Sequence, residues 1–348
     1  MKSSDRLRVH LVGSIPLKDT ESVFRTVCSS IGPYLRRIPD GETGPRRMWV
    51  GMISQQLSRH PAFEVATDEP LFAMKLASGK TFREYPRLRI RQGIDPETID
   101  FETGYAEMAI ESFAVFTRLQ ESGVIPKDVR FQVCIPSPLA PTYNYISPKD
   151  RSTFLRIFTD HLVSEVRKIT TALPNDRLAI QWDIVHEILL LENYFADRPD
   201  DYQEQNRATL KRIGSAVPEP VELGFHLCYG SPNDEHLVQP KDARVLVGLI
   251  HETIGQLTRP VTYFHIPVPK HRTDSDFYRP LADLSLKEAT DLYLGLIHSD
   301  DDAGNSRRLE LGRAATRVDG IASECGHGRT DPARIRGLLN SYARVAAS

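Results

Sequence analysis

Apolar positions along this chain come in short, nearly continuous bursts, separated by longer stretches with helical spacing. The bursts are LRVHLVGSI (7–15), LRRIPDGE (35–42), VRFQVCIPSP (129–138), LAIQWDIVHE (178–187), VELGFHLCYG (221–230), VTYFHIPVP (261–269), LYLGLIHSD (292–300) and GIASECGHGR (320–329). Such runs predict strands buried on both faces, as in a parallel sheet covered by helices. Between them, residues 151–172 and 239–257 place apolar side chains at i, i+3, i+4 and i+7, the stripe of an outer helix packed on a sheet. Helix starts are predicted at Ser147-Pro148, at Ser285-Leu286-Lys287-Glu288 with capping-box spacing, and at Asp331-Pro332.

Eight strand-then-helix units predict an α/β protein built as a single (β/α)8 TIM barrel over residues 1–348. The main alternative, a doubly wound open sheet, expects a glycine-rich phosphate turn after its first strand, and here that turn reads GSIPLKD. Residues 60–102, rich in Pro, Phe and Tyr, break the repeat. They are read as an insertion after the second strand that covers one barrel end.

Composition adds exclusions. With 40% apolar residues, 26% charged residues and a formal net charge of −2, the 348-residue chain has no single-sign field for nucleic acid or an anionic membrane. The start, MKSSDRLRVHLVGS, lacks the apolar core of a secretory leader, and nowhere do eighteen apolar residues run together, so a cytoplasmic protein is expected. Four cysteines are too few for a disulfide framework, which leaves them as thiols; Cys28, at helical spacing from Phe24 and Ile31, is read as core.

The chemistry gathers at the carboxyl ends of the predicted strands, the face where such a barrel holds its active site. Those ends carry Ser14, then Asp40 and Glu42, then Ser137, then Asp183 with His186 and Glu187. After them come His226 and Cys228, His265, His298 with Ser299 and Asp300, and finally Glu324, Cys325 and His327. Residues i and i+2 on a strand share a face, so His226 and Cys228 point together, and Cys325 arrives from the eighth strand. One imidazole and two thiolates suit zinc, and three protein ligands with an open position is the catalytic arrangement.

These motifs resemble the C-terminal catalytic barrel of cobalamin-independent methionine synthase, in the superfamily that includes uroporphyrinogen decarboxylase. The resemblance runs through LVGSIP, DGETGPRRMWVGMISQQL, CIPSPLAPTY, IQWDIVHE, FHLCYG, LIHSDD and SECGHGR, in the family's order. It implies zinc held by His226, Cys228 and Cys325, and methyl transfer to homocysteine or a similar small thiol. Ser14, Glu42 and Asp183 would bind that acceptor, and His298 would protonate the departing methyl carrier. A methylated folate is the donor the family suggests. The chain departs from the family at its sixth strand, TYFHIPVP, where the family's fourth ligand is a glutamate; either His265, which stands nearest, replaces it, or the protein supplies three ligands only, as in related thiol alkyltransferases. The family's N-terminal half has no counterpart here.

Simpler roles stand beside these. Glu42 can cap a helix beginning near Pro45, His186 and Glu187 can begin the next helix, and Asp300, Asp301 and Asp302 read as a solvated helix start. Arg46, Arg47 and Arg329 are the cations on offer to an anionic ligand. Two other functions share this scaffold: a metal-free decarboxylase or lyase, and a non-catalytic ligand binder.

Overall fold

The structure, a computed structural model, describes residues 7–232 and 235–348. Along the chain, β1 (Arg8–Val9) and β2 (Arg37–Pro39) are followed by four short strands, β3 (Phe63–Val65), β4 (Phe72–Lys75), β5 (Thr81–Tyr85) and β6 (Leu88–Ile90). Then come β7 (Arg130–Pro136), β8 (Leu178–Ile184), β9 (Glu222–Leu227), β10 (Tyr263–Pro267), β11 (Asp291–Gly295) and β12 (Gly320–Ala322). The helices are α1 (Thr20–Ile31), α2 (Val50–Arg59), α3 (Tyr105–Glu121), α4 (Leu139–Tyr145), α5 (Arg151–Ala172) and α6 (His186–Leu191). They continue with α7 (Tyr202–Ser215), α8 (Arg244–Gln256), α9 (Ser275–Tyr278), α10 (Asp302–Ala315) and α11 (Ile335–Ala347).

Each of the eight predicted runs holds a strand of one parallel sheet, ordered β1-β12-β11-β10-β9-β8-β7-β2. A parallel bridge from Val9 to Leu35 joins its two edges, so the sheet curls back on itself with helices outside, as in a TIM-like barrel. Every side chain of β8, β10 and β11 is buried, which is why these strands read as unbroken apolar runs. Parallel register places Asp183 beside His226, and His226 beside His265. Those three side chains form a row across β8, β9 and β10.

The helical readings hold at 151–172, which is α5, and at 239–257, which contains α8. Asp331 accepts the Ala333 N–H at 2.9 Å and opens the turn into α11. Two predicted starts are corrected. Ser147 caps nothing; its N–H donates to Leu88 O at 2.8 Å and its hydroxyl to Glu69, while α5 begins at Arg151. Residues 284–287 are not helical either, because β11 begins only a few residues later, at Asp291, and the Ser285 N–H donates to His251 Nε2 at 3.2 Å. Cys28 packs against the core as expected.

Residues 63–90 form two antiparallel pairs, β3 with β6 and β4 with β5, and send Met74, Phe82, Arg83 and Tyr85 toward the carboxyl ends of the barrel strands. No helix among the described residues is long and apolar enough to cross a membrane.

Candidate metal centre

A cavity of about 640 Å³ opens at the carboxyl ends of the barrel strands, with Ser14, Glu42, Asp183, His226, Cys228 and Cys325 in its wall. His226, Cys228 and Cys325 each offer one donor atom, and these atoms lie within 4.8 Å of one another. His226 and Cys228 are almost wholly buried, and Cys325 is half-buried. Two sulfurs and an imidazole, converging from β9 and from the loop after β12, are a donor set that suits zinc.

The thiols are not alike. Hydrogen bonding from Cys228 holds the Cys325 thiol well below the ordinary range, with further help from His226 and Arg329. The same bond, with burial, pushes Cys228 up. Of the two thiols, Cys325 is thus the more readily ionised.

Asp183 and Glu42 supply acid to the same cavity. Asp183 accepts from Gln181 Nε2 at 2.9 Å and from Trp49 Nε1 at 3.3 Å. Burial pushes its carboxyl up to about 6, against the pull of His226 and those hydrogen bonds. Burial, and then the Asp183 charge, raise Glu42 well above the usual carboxylate range. Glu42 does not cap a helix: the turn starting at Gly44 has Thr43 at its N-cap position. Its carboxylate lies where a Cβ on Gly13 would come within 2.9 Å, so glycine there makes the room. The backbone at Glu42 (φ 46°) and Trp49 (φ 50°) is left-handed, a strained state for such side chains. Asp40 holds the first of these by accepting the Glu42 N–H at 2.9 Å, and it also binds Arg46 and Ser112. Asp40 and Arg46 thus build the turn that presents Glu42.

Ser14 lines the cavity and braces the Cys325 loop: its hydroxyl accepts the Gly328 N–H at 3.1 Å and its carbonyl the His327 N–H at 2.7 Å. His327 sits behind that loop, its Nε2 3.2 Å from both Ser323 Oγ and Tyr342 Oη. His186 and Glu187 begin α6, and Ser137 donates to Glu187 in the interior. Arg329 lines the rim and donates to Ser231 Oγ at 2.8 Å.

Two expected site residues lie apart. His265 is outside the three-residue group; its Nδ1 is 2.6 Å from His226 Nδ1 and its Nε2 2.9 Å from Ser323 O. A separation of 2.6 Å is a hydrogen bond. Two nitrogens on one tetrahedral zinc, each about 2.0–2.1 Å from it, would stand roughly 3.3 Å apart. His298 does not line the cavity: its Nε2 donates to Val268 O at 3.0 Å and its Nδ1 faces Glu324 Oε2 at 3.5 Å. Trp49 and Gln181, the partners of Asp183, were not singled out in the sequence. Gln181 was findable, two positions before Asp183 on one strand, whereas Trp49 arrives through tertiary packing alone.

No family model and no curated relative matches the chain. Solved structures do match in fold. A B12-independent methionine synthase from Shewanella sp. W3-18-1, in complex with selenomethionine, superposes with a TM-score of 0.61 at 13% identity over 98% of this chain and 97% of that one. A putative vitamin-B12 independent methionine synthase from Listeria monocytogenes gives 0.59 at 15% identity over 99% and 98%. At such identity the likeness shows a methionine-synthase-like fold.

Proposed function

We propose that this protein is a zinc-dependent S-methyltransferase acting on homocysteine or a similar small thiol, with His226, Cys228 and Cys325 as the protein ligands. The observation that carries this reading is the meeting of those three soft donors within 4.8 Å, in the wall of a cavity that two raised carboxyls also line. Bound zinc would supply the positive charge that keeps an acceptor thiol ionised near neutral pH. The chain's own residues do the rest. Glu42 and Asp183, crowded and desolvated, gain most from a cationic partner, so they receive the acceptor's ammonium group. Ser14 holds the loop that carries Cys325. In the transfer, the acceptor sulfur forms a bond to the methyl carbon and the donor keeps the electron pair of the broken bond, to be protonated on departure. His298 is given no part in that proton transfer, since its ring nitrogens are directed at Val268 and Glu324. Residues 60–102 are read as an insertion into a single barrel domain, roofing the cavity with Phe82 and Tyr85.

Arg47, Arg83 and Arg329 line the cavity and could meet an anionic substrate, but a metal-free decarboxylase fits less well because it leaves the meeting of His226, Cys228 and Cys325 without a role. The test is elemental analysis followed by thiol-dependent proton release. About one zinc per chain and release of a proton to solvent on adding homocysteine support the proposal. Full activity in chelator-treated protein contradicts it.

A further inference from the structure

We infer that His265 is a positioning residue: it fixes the tautomer of His226, so that only the Nε2 lone pair of His226 is left for a metal. This rests on the metal-centre reading above and adds to it a residue that touches neither metal nor substrate.

The argument follows from which groups can donate. The Ser323 carbonyl is an acceptor only, so the 2.9 Å contact with His265 Nε2 requires a hydrogen on that nitrogen. His265 is fully buried, and its ring neighbours are two further imidazoles, His10 and His226. An imidazole in that setting is neutral and carries one hydrogen. Its Nδ1 is therefore a bare acceptor. The facing atom, His226 Nδ1 at 2.6 Å, must then donate. A neutral His226 with its hydrogen on Nδ1 has its lone pair on Nε2. A chain of two hydrogen bonds thus runs from Ser323 O through His265 to His226, linking the segment after β12 to β10 and β9.

Two features show that the chain is built rather than incidental. The His265-to-Ser323 bond passes over β11, the strand lying between β10 and β12. At that point β11 has Gly295, where a Cβ would come within 2.6 Å of His265 Nε2 and 2.7 Å of Ser323 O. Any side chain there would cut the bond. The anchoring carbonyl is itself held, since the Ser323 N–H donates to Tyr342 Oη of α11 at 2.7 Å. The same short segment leads into Cys325, so one anchor orients the imidazole ligand and delivers a sulfur ligand. A histidine that donates its second nitrogen to a fixed acceptor is held in one ring orientation and is a better ligand.

The test has two arms. In apo protein carrying 15N-labelled histidine, NMR is expected to show His226 as the Nδ1–H tautomer and His265 as Nε2–H; the opposite tautomer at His226 overturns the inference. In the second arm, zinc affinity is measured by competition with a chromophoric chelator. His265→Phe, which keeps the bulk but cannot accept, is expected to weaken binding by about 10- to 100-fold with stoichiometry retained. His265→Gln, whose amide can both accept and donate, is expected to recover most of that loss. Wild-type affinity in His265→Phe overturns the inference. So does a cobalt spectrum of that variant showing one nitrogen ligand fewer, which would make His265 a ligand. Should the wild-type protein bind no zinc, the functional proposal falls, while the NMR arm still decides the tautomer chain without any variant.

Discussion

At the amino-terminal ends of the barrel strands, Arg37 of β2 pairs with Glu222 of β9 and reaches Tyr293 Oη at 3.2 Å, while Arg36 meets Asp291 of β11 at 3.1 Å. Arg130 of β7 adds a second contact to Glu222 at 3.4 Å, and the Arg37 guanidinium lies 4.1 Å from the centre of the Tyr263 ring. At the carboxyl ends, Asp183 burdens Glu42, and Cys325 burdens both. Opposite charges are matched at one mouth of the barrel, whereas at the other, beside the Asp40–Arg46 pair, two buried acids and two thiols stand close together. Matched charges need nothing further, whereas crowded acids and thiols are stabilised by a cation that is not part of the chain. The first arrangement belongs to folding and the second to binding.

That contrast can be broken or sharpened by substitution. The largest effect is expected at the ligands: Cys228→Ser should take metal content from about one zinc per chain to about a tenth or less, read by elemental analysis, with little change in circular dichroism. Next is Arg37→Met, which removes the buried partner of Glu222 and leaves it only the longer contact with Arg130; it should cost about 3 kcal/mol in urea unfolding while leaving zinc stoichiometry intact. If Arg37→Met also strips the metal, the two ends are not independent.

Glu187 sharpens the comparison from inside the wall. Burial raises its carboxyl from the usual 4.5 to about 7, against the Ser137 hydrogen bond, and its Oε2 has no partner among the described residues. Between those values the native state holds the proton and the unfolded chain does not, so stability falls as pH rises from 4.5 to about 7. Glu187→Gln should remove that decline and be more stable than wild type at pH 8 by about 3 kcal/mol relative to their difference at low pH. The smallest effect is expected for Asp183→Asn, which should raise the acceptor KM by about 10- to 100-fold, the loss of one charged hydrogen bond, without altering zinc content.

Much of this was legible because burial leaves marks in sequence. The eight barrel strands show as apolar runs since both faces are covered, and their polar side chains cluster at one end since the sheet is parallel. The His226-x-Cys228 spacing follows from the two-residue repeat of a strand. The short strands β4 and β5 left no such mark: β5 is largely exposed, so neither a buried run nor an alternation appears. The capping-box spacing at Ser285 misled because it is a local signal, overruled by the start of β11 at Asp291. For His265 the sequence places the residue on the correct strand and row. Whether its Nδ1 faces a metal or His226 depends on a side-chain torsion, on Gly295 and on the Ser323 carbonyl, which lie on three different strands or their ends.

The central claim is most directly tested by X-ray absorption at the zinc edge of the purified protein. The account predicts a four-coordinate ion with two sulfurs at about 2.3 Å and one imidazole nitrogen at about 2.0 Å. The remaining position is expected to change from oxygen to sulfur on adding the thiol acceptor. A first shell made only of nitrogen and oxygen, or one already filled by four protein ligands that the thiol leaves unchanged, would contradict it.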